Sequence, residues 1–444
     1  MVTTTQAPAP VRSASAITDR MARSWSRPRS RLRSRLRPGF SGRLPWLLGC
    51  LGAAGWAAVF PLVSGLATQR IWGGVAAAGY LLAAAVALLA PRHRVPRLTV
   101  VLALLGAVVV PAVVLLGRGW SQSEVEVVQN SATQLLRTGS PYFTHPHDVG
   151  QYNPYLPAMA LFGLPRALLG AHGLLPRVLG DARLWFFAAF AACLVKTWRL
   201  LLRNSAGRTG WFALAAVTAS PLVALSATVS GVDLPLIGCC LLGLAYAERG
   251  HAGRAAVVIA LACALKWTAW PVLPVALLLI RQRHGARAGR RLAVAASAGA
   301  ALLVVPSSLL TPGAVLDQVI RFPLGLSAMH TPADSPLPGH LLAELGPAGR
   351  TASLVLLGLG ALGVALWLFL RPPHTVVQAG DRLAAGVAVA FLLAPAGRFG
   401  YLELPVLLAL WPRLALVAQR TEAQRTGAPP VPVQPVAESL ALAE

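Results

Sequence analysis

Charge is scarce in this sequence, and negative charge scarcer still: Asp, Glu, Lys and Arg make up 12% of 444 residues, and only 15 are acidic. A soluble domain of this length needs roughly a quarter of its residues charged to clothe its surface, so a water-soluble globule is excluded. Lysine is nearly absent, with two residues against 37 arginines. No Gly-rich nucleotide-binding loop occurs. The five cysteines, Cys50, Cys193, Cys239, Cys240 and Cys263, all lie in apolar stretches. They show neither loop pairs nor metal-ligand spacing, which argues against a disulfide framework and for small buried hydrophobes. His145, His147 and Asp148 sit on a Pro-interrupted loop with no fourth ligand, so neither a metal site nor a cofactor is predicted.

What is abundant is apolar sequence, 56% of the chain, gathered into blocks. A helix needs ~20 apolar residues to cross a ~30 Å hydrocarbon core. Clear blocks cover 44–67, 72–90, 98–117, 211–229, 232–247, 292–310, 351–370 and 401–417, and weaker or broken ones cover 184–202, 255–280 and 383–394. Backbone polar groups in lipid must be satisfied within their own segment, so the blocks are helices. The expected fold is an all-α polytopic membrane protein with about 10–12 transmembrane helices over 44–418. It is flanked by a disordered basic leader (1–43) and a disordered tail (419–444).

The net charge of +24 suggests nucleic acid at first sight, but its arrangement reads as topology instead. With a cytoplasmic N-terminus and alternating blocks, 29 of the 39 basic residues fall on the inner side and 10 on the outer, as the positive-inside rule requires. Both termini are then cytoplasmic, the leader lies against anionic membrane lipids, and the site of residence is the cell membrane. Two large extracytoplasmic loops follow, at 118–183 and 311–350. The apolar stretch 155–169 either crosses or lies at the interface. Crossing would put the basic cluster Lys196 to Arg208 outside, which favours the interfacial reading.

The loop acids Glu124 and Glu126 open an amphipathic run that stops at Gly139-Ser140-Pro141. A carboxylate there suits a general base at the membrane surface, or simply a solvated loop acid. Lys266 lies in 255–280, a stretch flanked on both sides by basic inner segments and broken at Trp270-Pro271. It therefore enters and leaves on one face as a hairpin with Lys266 near its outer tip. An ionisable residue in a membrane is a functional hypothesis by default, here with a lipid phosphate as partner and snorkelling as the alternative. Arg398 is a second outer cation, either paired with Glu403 or free to bind phosphate. Asp334, in a Pro-rich stretch, is placed to close a cavity from above.

Glu124, Leu135-Leu136, Gly139, Pro141-Tyr142 and Tyr152-Asn153-Pro154-Tyr155-Leu156-Pro157 form a pattern that resembles polytopic glycosyltransferase family 87 of the C superfamily. Ala264 to Pro271 and Ala394 to Tyr401 extend the likeness. Glu stands here where the family usually has Asp, and Ser230-Gly231-Val232-Asp233 replaces a Gly-Gln-x-Asn turn. The resemblance implies sugar transfer, mannose in the first instance, from a polyprenyl-phosphate donor to a glycan or glycolipid acceptor with inversion. Glu124, or failing it Glu126, would be the catalytic base, with Lys266, Arg398, Tyr142, Tyr152, Asn153, Asp233 and Asp334 binding substrate. A secondary transporter or flippase would also have many helices, but should show paired broken helices in internal repeats, and one Lys/Pro-broken hairpin is evident.

Overall fold

The computed structural model describes residues 42–170, 172–202, 208–329, 332–333 and 335–426. The leader up to residue 41, Asp334 and the tail from residue 427 lie outside them. Among the described residues every regular element is helical. The main helices are α1 (Arg43–Val63), α2 (Ala67–Leu89), α3 (Val95–Arg118), α4 (Ser123–Thr138) and α5 (Ala182–Leu201). They are followed by α6 (Arg208–Thr218), α7 (Pro221–Val229), α8 (Leu234–Glu248), α9 (Ala252–Leu265) and α10 (Val272–Leu310). The chain closes with α11 (Pro347–Leu370), α12 (Val376–Leu393) and α13 (Glu403–Thr426). Among the described residues eight helical stretches are long and apolar enough to cross a membrane, or nine if the pair α6 and α7, bent by 72°, counts as one span. Large apolar side chains such as Leu62, Leu82, Leu302 and Phe369 stay exposed on the outside, as befits a surface solvated by lipid.

Proline and glycine decide how these helices pack. Pro111 in α3 has no N–H to give the Ala107 carbonyl one turn earlier, and Trp72 Nε1 of α2 donates to that oxygen at 2.8 Å. Between α6 and α7 the bend ahead of Pro221 leaves the Ala219 carbonyl to accept from Tyr80 Oη at 2.8 Å. α2 and α3 cross at a pair of glycines so close that a Cβ on Gly79 would lie 2.5 Å from Gly106 Cα. Membrane helices lack a hydrophobic drive to associate and gain from such close backbone approach.

One boundary differs from expectation, and two further stretches take definite form. The last helix runs to Thr426, past the expected limit at residue 418, so the start of the tail is helical. The basic stretch 281–291 is helical, part of α10, except at Gly285, whose φ of +83° breaks the helix at one residue. The 155–169 stretch is a 3₁₀ helix (Pro157–Gly163) and a short α-helix (Leu164–Leu169). Together they fall short of the ~20 residues a crossing requires. Most of the 3₁₀ helix is buried, and Gly163 sits where a Cβ would come within 2.4 Å of the Val128 carbonyl of α4.

A buried arginine ties the first loop shut. Arg183, at the start of α5, makes two hydrogen bonds to Asp181, Nε to Oδ1 at 2.9 Å and Nη2 to Oδ2 at 2.8 Å. Its Nη1 donates to the Thr228 carbonyl at 2.7 Å and the Trp120 carbonyl at 3.1 Å. Asp181 also caps α5 by accepting from the Arg183 amide. The charge is thus fully partnered, as burial demands.

Candidate active site

A cavity of about 220 Å³ draws its lining from both large loops, the α9–α10 break, helices α11 and α12, and the turn that follows α12. Its charged lining residues are Glu124, Lys266 and Arg398. Most of the remaining wall is apolar, including Val127, Pro271, Leu357, Val387, Ala390 and Phe391.

Glu124 arrives on α4, whose first turn carries both loop acids and whose C-terminus is stopped by Gly139 at φ +77°. Val125, Val127, Val128, Ser131 and Ala132 bury one face of this helix. Carboxylates suit a helix N-terminus, where the unpaired amides and the dipole favour negative charge. Glu124 turns into the cavity and Glu126 does not: Glu126 is exposed, and its carboxyl lies beside Gly150, where an added Cβ would come within 3.0 Å of it.

Lys266 occupies the break between α9 and α10, in extended conformation with φ −157° and ψ 138°. The Leu265 carbonyl, freed by the break, accepts from the Leu156 amide at 3.0 Å, which fastens the first loop to the tip. Trp270 Nε1 donates back to the Cys263 carbonyl at 3.0 Å. Lys266 Nζ donates to Asp233 Oδ1 at 2.8 Å and lies 4.6 Å from the Tyr401 ring centroid and 5.7 Å from that of Tyr155. One carboxylate and two aromatic faces hold the ammonium.

Arg398 follows α12 on a turn that the second loop grips. The Gly397 amide donates to the Ala333 carbonyl and the Ser335 amide to the Gly397 carbonyl, both at 3.0 Å. Ser353 Oγ donates to the Leu393 carbonyl at 2.7 Å, and Gly339 packs so tightly that a Cβ would lie 2.3 Å from that same oxygen. The guanidinium is ion-paired through Nη1 with Glu124 Oε1. Its partner is therefore not Glu403, the nearer acid in sequence. Glu403 is buried on α13, hydrogen-bonded by Ser226, with its Oε1 unpartnered among the described residues.

The remaining expected residues divide. Tyr152 lines the cavity, and its hydroxyl donates to Asp317 Oδ2 at 3.1 Å, an acid that also accepts from Ser327 Oγ at 3.1 Å. Asp233 reaches the site through Lys266. Tyr142 and Asn153 are walled off from the cavity and serve as loop structure. Tyr142 Oη donates to the Tyr155 carbonyl at 2.9 Å, and burial pushes both phenols up, so both remain protonated. Asn153 Oδ1 accepts from the Tyr155 amide at 3.0 Å, and its own amide donates to Gln318 Oε1 at 3.0 Å. Asp334 lies outside the described residues. Tyr401, Tyr155 and Asp317 were not singled out from the sequence. Tyr155 and Tyr401 stand in the two motif segments, two of only six tyrosines in the chain, and that rarity was the available signal.

The chain matches the family model of glycosyltransferase family 87 over residues 153–395, more than half its length. Asn153, Asp233 and Lys266 lie within the matched stretch, and Glu124 and Arg398 lie outside it. No curated protein and no solved structure matches the chain.

Proposed function

Given that the chain belongs to glycosyltransferase family 87 and is a membrane glycosyltransferase, we propose that it takes its sugar, mannose, from a polyprenyl-phosphate donor. The sugar passes with inversion to an extracytoplasmic glycan or glycolipid acceptor at the cell membrane. The observation that carries this reading is a cavity in which one carboxylate and two cations meet an otherwise largely apolar wall. An anionic lipid headgroup fits that combination, with Lys266 and Arg398 toward the phosphate and the prenyl chain along the apolar helices.

Glu124 accepts the proton of the acceptor hydroxyl as that oxygen attacks the anomeric carbon from the face opposite the phosphate. The bond from the anomeric carbon to the phosphate oxygen breaks, and its electron pair leaves on the phosphate. Lys266 and Arg398 stabilise the charge that develops there. Polyprenyl phosphate and the extended acceptor are the products. The 29 to 10 distribution of basic residues supports an outer face for the large loops and so access by the donor from that one side.

The test is transfer of labelled sugar by the purified full chain in lipid nanodiscs, with polyprenyl-phosphomannose and polyprenyl-phosphoglucose offered separately. Transfer from the mannosyl donor, lost in Glu124→Gln, is the expected result. Transfer from the glucosyl donor alone overturns the sugar, and transfer from neither donor overturns the donor class.

A further inference from the structure

Both cavity cations are already paired with carboxylates, but the two pairs are built differently. Lys266 is enclosed: its side chain is 10% exposed, two tyrosine rings lie against it, and its partner Asp233 is not part of the cavity wall. Arg398 is more open at 24%, and its partner Glu124 is itself a wall residue. Glu124 spends one oxygen, Oε1, on the guanidinium, while Oε2 is buried with no partner among the described residues. Of the two pairs, Arg398–Glu124 is the one with both members in the cavity wall, where a phosphate can reach them. The phosphate offers the guanidinium two oxygens at once, a bidentate partner that a single carboxylate oxygen does not match.

We propose that the Glu124 carboxylate and the donor's phosphate are competing counter-ions of Arg398, so that donor binding displaces Glu124 from the guanidinium and frees it to act as the base. This rests on the polyprenyl-phosphate reading above and specifies how that site is regulated. Once the phosphate holds Arg398, both Glu124 oxygens are available to an acceptor hydroxyl. The base is then engaged only when there is an anomeric carbon to attack, and donor binding precedes deprotonation of the acceptor. When polyprenyl phosphate leaves, Glu124 passes the acceptor's proton to water and, again a carboxylate, is recaptured by Arg398. Exchange also costs the enzyme donor affinity, because the phosphate must replace an existing charge-assisted hydrogen bond.

That cost is the measurable consequence. Undecaprenyl phosphate is titrated without acceptor against the full chain in nanodiscs, as wild type, Glu124→Gln, Glu124→Ala, Arg398→Gln and Glu124→Gln/Arg398→Gln. Removing the competitor in either Glu124 variant tightens binding on the order of tenfold, about one charge-assisted hydrogen bond, although transfer is lost. Arg398→Gln weakens binding, and the double variant binds no more tightly than Arg398→Gln alone. Unchanged or weaker binding in both Glu124 variants, with Arg398→Gln still weakened, overturns the exchange and leaves the donor reading intact. Tighter Glu124 variants with Arg398→Gln unaffected overturn it too, since the gain would not pass through the guanidinium. If wild type does not bind undecaprenyl phosphate at all, both readings fall.

Discussion

Lys266 Nζ donates to Asp233 Oδ1 at 2.8 Å, joining the broken tip between α9 and α10 to the start of α8, 33 residues earlier in the chain. Asp233 therefore serves the site by aiming a lysine. Asp233→Asn keeps the shape and removes the charge that holds the ammonium, so transfer falls, by roughly 10- to 100-fold in kcat/KM. Residues that act as a unit are not additive. Asp233→Asn in a Lys266→Gln background accordingly costs little further activity, and a four-way comparison of kcat/KM checks this.

Arg398 depends on its turn, and the turn depends on Gly339. A Cβ at that position would overlap the Leu393 carbonyl at 2.3 Å, a backbone contact that cannot swing aside. Gly339→Ala is expected to push the end of α12 away and lower transfer as Arg398→Gln does. Donor titration distinguishes this from general damage: weakened donor binding with a near-normal melting temperature is the expected pair of results.

The scarcity of charge carried most of what could be read before the fold was known. Spans, loops and an ionisable hairpin tip followed from apolar block lengths, the arginine distribution and Pro271. The Arg398–Glu124 pair could not be read in this way, because its members are 274 residues apart and no periodicity links them. Glu403, five residues from Arg398, was the nearer candidate, yet the backbone turns from a 3₁₀ segment (Phe399–Leu402) into α13 between them and carries the two side chains apart. Tyr142 and Asn153 illustrate the opposite limit. They stand in the motif segments, but their polar atoms go to backbone and to Gln318, and motif membership alone does not separate a loop scaffold from a ligand contact.

Stability should concentrate at Arg183. Its removal leaves Asp181 buried and the Thr228 and Trp120 carbonyls without their donor. Breaking one side of a buried pair costs about 3–5 kcal/mol. Arg183→Leu should lower the melting temperature of the purified protein markedly. Arg183→Leu/Asp181→Asn should recover part of the loss, because the unpaired charge is gone.

The α2–α3 crossing offers a separate stability test remote from the cavity. Gly79→Val forces apart two backbones that now meet at Gly106. Loss of that approach weakens the packing of α2 against α3, since close contact is what holds membrane helices together. Heat-induced aggregation at lower temperature is expected, with the KM for donor unchanged in the surviving folded fraction.

The two acids of the first turn of α4 give the most direct test of the chemistry. They stand two residues apart, about 200° around a helix, so only one can face the cavity. Glu124 does, while Glu126 is exposed beside Gly150. A positioned general base contributes about 10²- to 10⁴-fold. Glu124→Gln should lose kcat within that range, and Glu126→Gln should stay within about threefold of wild type, as expected for a surface change. Glu124→Asp keeps the carboxylate but withdraws it by a methylene, so it should fall between the two. Full activity in Glu124→Gln together with loss in Glu126→Gln would move the base to the other face of the helix and remove the role assigned to Arg398.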